Sequence, residues 1–231
     1  MLKTNIIFMC NYKLIRYLFM KLLTEEEVRV LGSIVEKQYT TPAYYPMTIN
    51  SILNACNQKS SRNPVVSYDE SLVEDTISEL REKHLSGIAT SSDYRVPKYI
   101  QAFGKYYNLT IQEIAVLCIL FLRGEQTVGE IRSRSSRIYN FKSLSDVQET
   151  FDKLMNKEDG PFIIKLPKDS GREHRYAHLF CGEPKIKSTT AKNINQSLEQ
   201  KVAKLETEIK ELKEDIITIK NELDLFRKEF E

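Results

Sequence analysis

"LTEEEVRVL" (residues 23–31) returns 86 residues later as "LTIQEIAVL" (109–117). Each copy offers a Thr as helix N-cap with a Glu three residues on, the spacing at which side chain and backbone cap one another reciprocally. Each then runs into apolar residues at helical spacing: Val28, Leu31, Ile34 and Val35 in the first, Ile114, Leu117, Leu120 and Phe121 in the second. A second pair of stretches repeats at an offset of 74. "VEDTISELREK" (73–83) and "VQETFDKLMNK" (147–157) share the pattern V-x-[DE]-T-[IF]-x-x-L-x-x-K. Repeats of about 80 residues are too long for solenoid units and indicate duplicated small domains.

Between the paired helices a short one is expected in each copy, at "TINSILNACN" (48–57) and "TVGEIRSRS" (127–135). After the last helix each copy turns into short extended segments, 87–90 and 95–100 in the first, 162–166 and 174–180 in the second. Helix, short helix, helix and hairpin is the order of a winged helix-turn-helix domain. The expected fold is therefore mainly α with small β-wings (α+β), as two tandem winged-helix domains at 23–104 and 105–183. The first copy is 12 residues longer, seven of them before Thr48 in "YTTPAYYPM" and five after it, around "NACNQKSSRNPV" (54–65).

At 231 residues the chain can bury two small cores. Its 41% apolar and 29% charged residues are those of an ordinary folded protein, and it has no apolar run long enough to span a bilayer. The four cysteines, at 10, 56, 118 and 181, form no C-x-x-C pair. That argues against a disulfide framework or zinc module and fits a reducing, cytoplasmic setting. Residues 1–22 are apolar but interrupted by Lys3, Lys13, Arg16 and Lys21, so a signal peptide is not expected. An N-terminal extension or an upstream start is the preferred reading there, ahead of a basic amphipathic segment that touches membranes.

The carboxy-terminal residues step as a heptad. Leu198, Leu205, Leu212, Ile219 and Phe226 fall at d, and Val202, Ile209, Ile216, Leu223 and Phe230 at a. β-branched residues at a with Leu at d favour a parallel dimer, and the g-to-e pairs Lys201–Glu206, Glu208–Lys213, Asp215–Lys220 and Glu222–Arg227 are all attractive. A coiled coil over 194–231, reached through a linker at 184–193, is expected to make a homodimer; the competing reading folds this helix back onto its own domains.

"LTEEEVRVLGSIVEKQYTTPAYYPMTINSILNACNQKSSRNPVVSYDE" closely resembles the opening of the YceH family of bacterial proteins, and "RYAHLFCG" (175–182) resembles the end of that family's second repeat. The resemblance covers roughly residues 22–183. It implies a tandem winged-helix fold, in agreement with the repeats, and carries over no catalytic residues.

The residues themselves speak against an enzyme. Cys56 would need a base, and the only histidines are His84, His174 and His178. There is no Gly-rich phosphate loop, no G-x-S-x-G and no H-E-x-x-H. In an extended segment His174 and His178 stand about 13 Å apart, too far for one ion. Neither metal nor cofactor is expected.

Net charge is +2 overall, but 105–187 carries 14 basic and 11 acidic residues while 23–104 carries 8 and 11. The third helices are acidic: Asp69, Glu70, Glu74, Asp75, Glu79 and Glu82 in the first copy, Asp146, Glu149 and Asp152 in the second. Phosphates repel such surfaces. The basic residues lie elsewhere, with Arg132, Arg134 and Arg137 on the second helix of repeat two and its following loop. Lys165, Lys168, Arg172 and Arg175 are on its wing, near Tyr139 and Tyr176, and Lys59 and Arg62 are in the repeat-one loop. They are the candidate contacts to double-stranded DNA. The alternative is a scaffold for a protein partner, with Tyr39, Tyr44 and Tyr45 of "YTTPAYYP" as anchors.

Overall fold

The computed structural model describes residues 21–91, 94–168 and 173–184. The first repeat comprises α1 (Glu25–Thr40), a 3-10 turn (Pro42–Tyr44), α2 (Ile49–Cys56), α3 (Glu70–Glu82) and a hairpin of β1 (Ser86–Ala89) and β2 (Lys98–Gln101). A single turn, α4 (Phe103–Tyr106), leads into the second repeat: α5 (Ile111–Arg123), α6 (Val128–Arg134), α7 (Leu144–Met155) and a hairpin of β3 (Ile163–Lys165) and β4 (Tyr176–His178). The result is a mixed, mainly helical fold with two small antiparallel sheets. The heptad residues, the linker beyond Pro184, residues 1–20 and Arg172 lie outside the described residues.

Short polar side chains start the helices where the sequence offers them. Thr24 and Thr110 form reciprocal capping boxes with Glu27 and Glu113, and Thr127 does the same with Glu130. Thr48 caps α2. Asp69 and Ser143 cap α3 and α7 four residues ahead of the repeated V-x-[DE]-T motif, so both third helices begin earlier than the motif itself. β2, β3 and β4 are shorter than the extended segments expected from sequence, and β1 has the expected length but begins one residue earlier. In each repeat one further residue joins the sheet, through reciprocal backbone bonds of Met47 with Tyr99 and of Gln126 with Tyr176.

The repeats share one core. Residues 114–122 of α5 are buried on every side, and α1 is buried from Glu27 to Val35. The two helices cross at Gly32, where an added Cβ would stand 3.0 Å from Phe121 Cβ and 3.1 Å from Leu122 Cδ2. The Cys118 thiol donates to the Gly32 carbonyl at 3.6 Å. Gly32 and Cys118 are themselves equivalent under the 86-residue offset, so the duplicated helices meet at matching positions. The α4 turn supplies Phe103 and precedes Tyr107, which stack edge-on with Phe180 and Phe162 at centroid distances of 5.0–5.6 Å.

Each repeat also closes on a matching ion pair to a buried glutamate. Lys83, the last letter of the repeated third-helix motif, reaches the Glu27 carboxylate of the α1 capping box at 2.5 Å. Lys157, its equivalent, reaches Glu113 at 2.9 Å. Both ammonium groups also donate to the carbonyl two residues ahead of the N-cap, Leu22 for Lys83 and Asn108 for Lys157. The two sequence motifs are therefore halves of one device, joining the start of the first helix to the end of the third.

Candidate nucleic-acid interface

Arg134 and Arg175 converge on a single carboxylate. Glu130, fixed by capping Thr127 N, takes Arg134 Nη2 on Oε1 at 3.3 Å and Arg175 Nη2 on Oε2 at 3.0 Å. Arg134 also donates to Gln126 Oε1, and Arg175 to the Glu125 carbonyl at 2.7 Å. This brings α6 and the wing together but leaves both arginines partly neutralised. Arg132 turns to the loop ahead of α7, donating to the Lys142 carbonyl at 2.9 Å and more weakly to the Phe141 carbonyl at 3.4 Å.

Arg137, Lys165 and Lys168 are exposed and make no side-chain hydrogen bond or ion pair among the described residues. Lys142, absent from the sequence-derived set, is exposed in the same way next to the N-cap Ser143. A base directly ahead of a helix cap is the signal that points to it. Lys59 is exposed on the repeat-one loop. The Tyr176 ring expected near the wing's bases is instead buried at 2% exposure, with its hydroxyl donating to Gln148 Oε1 at 3.2 Å. Tyr139 is half-buried and packs edge-on against Phe141.

Arg62 is removed from the candidate contacts. Its side chain is fully buried and forks onto Glu36, Nη2 to Oε2 at 2.6 Å and Nη1 to Oε1 at 3.2 Å. It also donates to the Ala55 carbonyl near the end of α2 from Nε at 3.1 Å and Nη2 at 2.8 Å. Every direction in which it might meet an anion is taken, so it shapes the loop. Beside it the buried Arg29 donates to the Pro64 carbonyl at 2.5 Å and the Leu122 carbonyl at 3.3 Å. Burial, and then the Arg62 charge, lowers the pKa of Arg29. The stretch "NACNQKSSRNPV" is thus tied down from below through Arg62, while Lys59, Ser60 and Ser61 face out, as do Asn54 and residues 63–65.

Cys56 and Cys118 are free and buried, and Cys181 is free and exposed. Burial pushes the Cys56 thiol up to about 11 and the Cys118 thiol further. Tyr39 and Tyr45 pack against the core, with Tyr45 Oη accepting from Gln101 N at 2.9 Å, while Tyr44 is 79% exposed. Among the described residues no group of three His, Cys, Asp or Glu is placed to hold a metal ion, and no helix is long and apolar enough to cross a membrane.

His178 gives the fold a pH dependence. Its ring stands edge-on to Phe121 at 5.0 Å, Nδ1 has no hydrogen-bond partner among the described residues, and burial lowers its pKa from 6.5 to about 4. The unfolded chain therefore takes up this proton first. The contribution is intact above pH 6.5 and is lost as the pH falls toward 4. We expect a loss of about 2 kcal/mol between pH 7 and pH 5. Urea titrations at the two pH values measure it. His178→Leu should remove most of the difference, and an unchanged difference would assign it to other groups.

The family model described as "Protein of unknown function, DUF480" matches residues 23–172. A UPF0502 protein of Solibacter usitatus is 43% identical over 210 residues, covering 90% of this chain and 98% of the relative. A UPF0502 protein of Opitutus terrae is 47% identical over 167 residues, 72% of this chain and 73% of the relative. The UPF0502 protein YceH of Salmonella arizonae is 39% identical over 200 residues, 83% of this chain and 93% of the relative.

Proposed function

The chain belongs to the DUF480 family, that of the UPF0502 proteins such as YceH, and from this premise and its exposed charges we propose that it binds double-stranded DNA. The two repeats act as tandem winged-helix domains, and residues 194–231 act as a coiled coil that pairs two chains. The order of helix, short helix, helix and hairpin supports the winged-helix reading, as does the single residue that joins each sheet ahead of the second helix. The heptad and its four attractive g-to-e pairs support the coil.

One observation carries the DNA reading. In the second repeat Arg137, Lys142, Lys165 and Lys168 are exposed and unpaired among the described residues, around a third helix that itself carries acids. Bases placed on loops and wing reach phosphates rather than base edges, so binding is salt-sensitive and weakly sequence-specific. With four such contacts, log K should fall with log salt at a slope of about −4. Micromolar affinity at 50 mM salt should then weaken roughly a hundredfold by 200 mM. Fluorescence anisotropy with a labelled duplex measures this, and replacing Arg137, Lys165 and Lys168 by glutamine should flatten the slope by about 3 units. A flat response, or no binding at low salt, would overturn the reading.

The acidic face of α3 favours a second role for the first repeat. Glu70, Glu74, Asp75, Glu79 and Glu82 are exposed there against Arg81 alone. That face suits a protein partner, and a chain that binds no DNA acts through it as a scaffold.

A further inference from the structure

Where the repeats meet, the last turn of α5 runs against the repeat-one loop. The Leu122 carbonyl accepts Asn63 N at 2.8 Å and Arg29 Nη1 at 3.3 Å. The Arg123 carbonyl accepts Gln126 Nε2 at 3.1 Å and Asn63 Nδ2 at 3.4 Å. Gly124 then turns the chain away with φ +69°, a conformation few residues other than glycine adopt. A basic side chain at a helix C-terminus ordinarily folds back onto the last carbonyls. Here other donors hold them, and the half-buried Arg123 guanidinium has no hydrogen bond or ion pair among the described residues.

The charges around Arg123 do not supply a partner. Burial, and then the Arg134 charge, lowers its pKa, while the carboxylates that act on it are those of Glu36 and Glu130. Both of these acids are already engaged. Glu36 is forked by Arg62, and Glu130 is shared between Arg134 and Arg175. Arg134 keeps part of its side chain in solvent, at 33% exposure. Gln126 links the two, its amide donating to the Arg123 carbonyl and its oxygen accepting from Arg134, so an unpaired guanidinium and one only partly neutralised by Glu130 share a seam, the surroundings in which a guanidinium pair takes a phosphate.

We propose that Arg123, beside Arg134, holds a phosphate group at the junction of the two repeats, namely one phosphate of a nucleic-acid backbone. This rests on the DNA reading and extends it: the nucleic acid crosses the seam, so the second repeat's wing does not bind alone. Arg123 stands outside the loop and wing residues from which that reading was drawn, and Asn63 and Gln126 occupy the carbonyl of Arg123 itself.

The test uses the full chain and two probes, a labelled duplex and inorganic phosphate. Arg123→Gln should weaken duplex binding about tenfold at 100 mM salt and make the salt slope shallower by about 1, while Arg123→Lys should keep the slope. In the absence of DNA, phosphate at matched ionic strength should raise the melting temperature of the parent chain more than that of Arg123→Gln. If the parent chain binds duplex and Arg123→Gln binds with the same slope, the seam is overturned and the DNA reading stands. If the parent chain binds no duplex but phosphate stabilises it through Arg123, the DNA reading falls and the site belongs to a free phosphate. If neither probe distinguishes Arg123→Gln from its parent, the proposal is overturned outright.

Discussion

Arg62→Met should destabilise the folded chain by about 3–5 kcal/mol, the range for removing one partner of a buried ion pair. The Arg62 side chain is 0% exposed and that of Glu36 is 16% exposed, so the carboxylate left behind has little water to turn to. Lys37 lies 3.9 Å from Glu36 and offers a poor replacement. The Ala55 carbonyl loses two donors at the same time. Neutralising the orphaned acid in the double variant Glu36→Gln/Arg62→Met should return a sizeable part of the loss, because the unpaired charge is its main source. Lys59→Gln, three positions away and exposed, should stay within about 0.5 kcal/mol of the parent. Urea unfolding measures all three. A loss below 1 kcal/mol for Arg62→Met would mean that the fork onto Glu36 does not support the loop.

The contrast between Lys59 and Arg62 marks where sequence reasoning stops. Both sit in one polar stretch and carry the same charge, and nothing local separates them. Their fates diverge because α1 brings Glu36, 26 residues earlier in the chain, under the loop. Local features were legible. The capping boxes at Thr24 and Thr110 are set by residues three apart, and the amphipathic runs by residues three and four apart. The α4 turn was not legible, being four residues long and therefore too short for a period to register. The wing's charges were legible as a set, but Glu130's hold on Arg134 and Arg175 required a partner 45 residues away from Arg175. Tyr176 failed for the opposite reason, since alternation along β4 does not reveal that Phe151 stacks over its ring at 4.2 Å.

The repeated motifs themselves lead to a matched pair of large effects. Lys83→Met leaves Glu27, whose side chain is 0% exposed, with Thr24 N at 2.8 Å as its one remaining donor among the described residues, where Oε1 has no partner even before the substitution. The expected cost is about 3–5 kcal/mol. Lys157→Met strands Glu113, 4% exposed, in the same way, but this carboxylate keeps both the amide and the hydroxyl of Thr110, at 2.8 and 3.1 Å. A charged hydrogen bond contributes about 1.5–3 kcal/mol, so the extra donor should make the second substitution the milder by about that amount or less. Both losses should appear in urea titrations as shifts of a single transition, because α1 and α5 cross at Gly32 and neither repeat has a core that ends at its own boundary. Adding Glu27→Gln to Lys83→Met should restore much of the stability by removing the stranded charge. Two separate transitions would break the argument that the repeats fold as one body. An inverted order, with Lys157→Met the costlier, would show that the extra Thr110 donor does not protect Glu113.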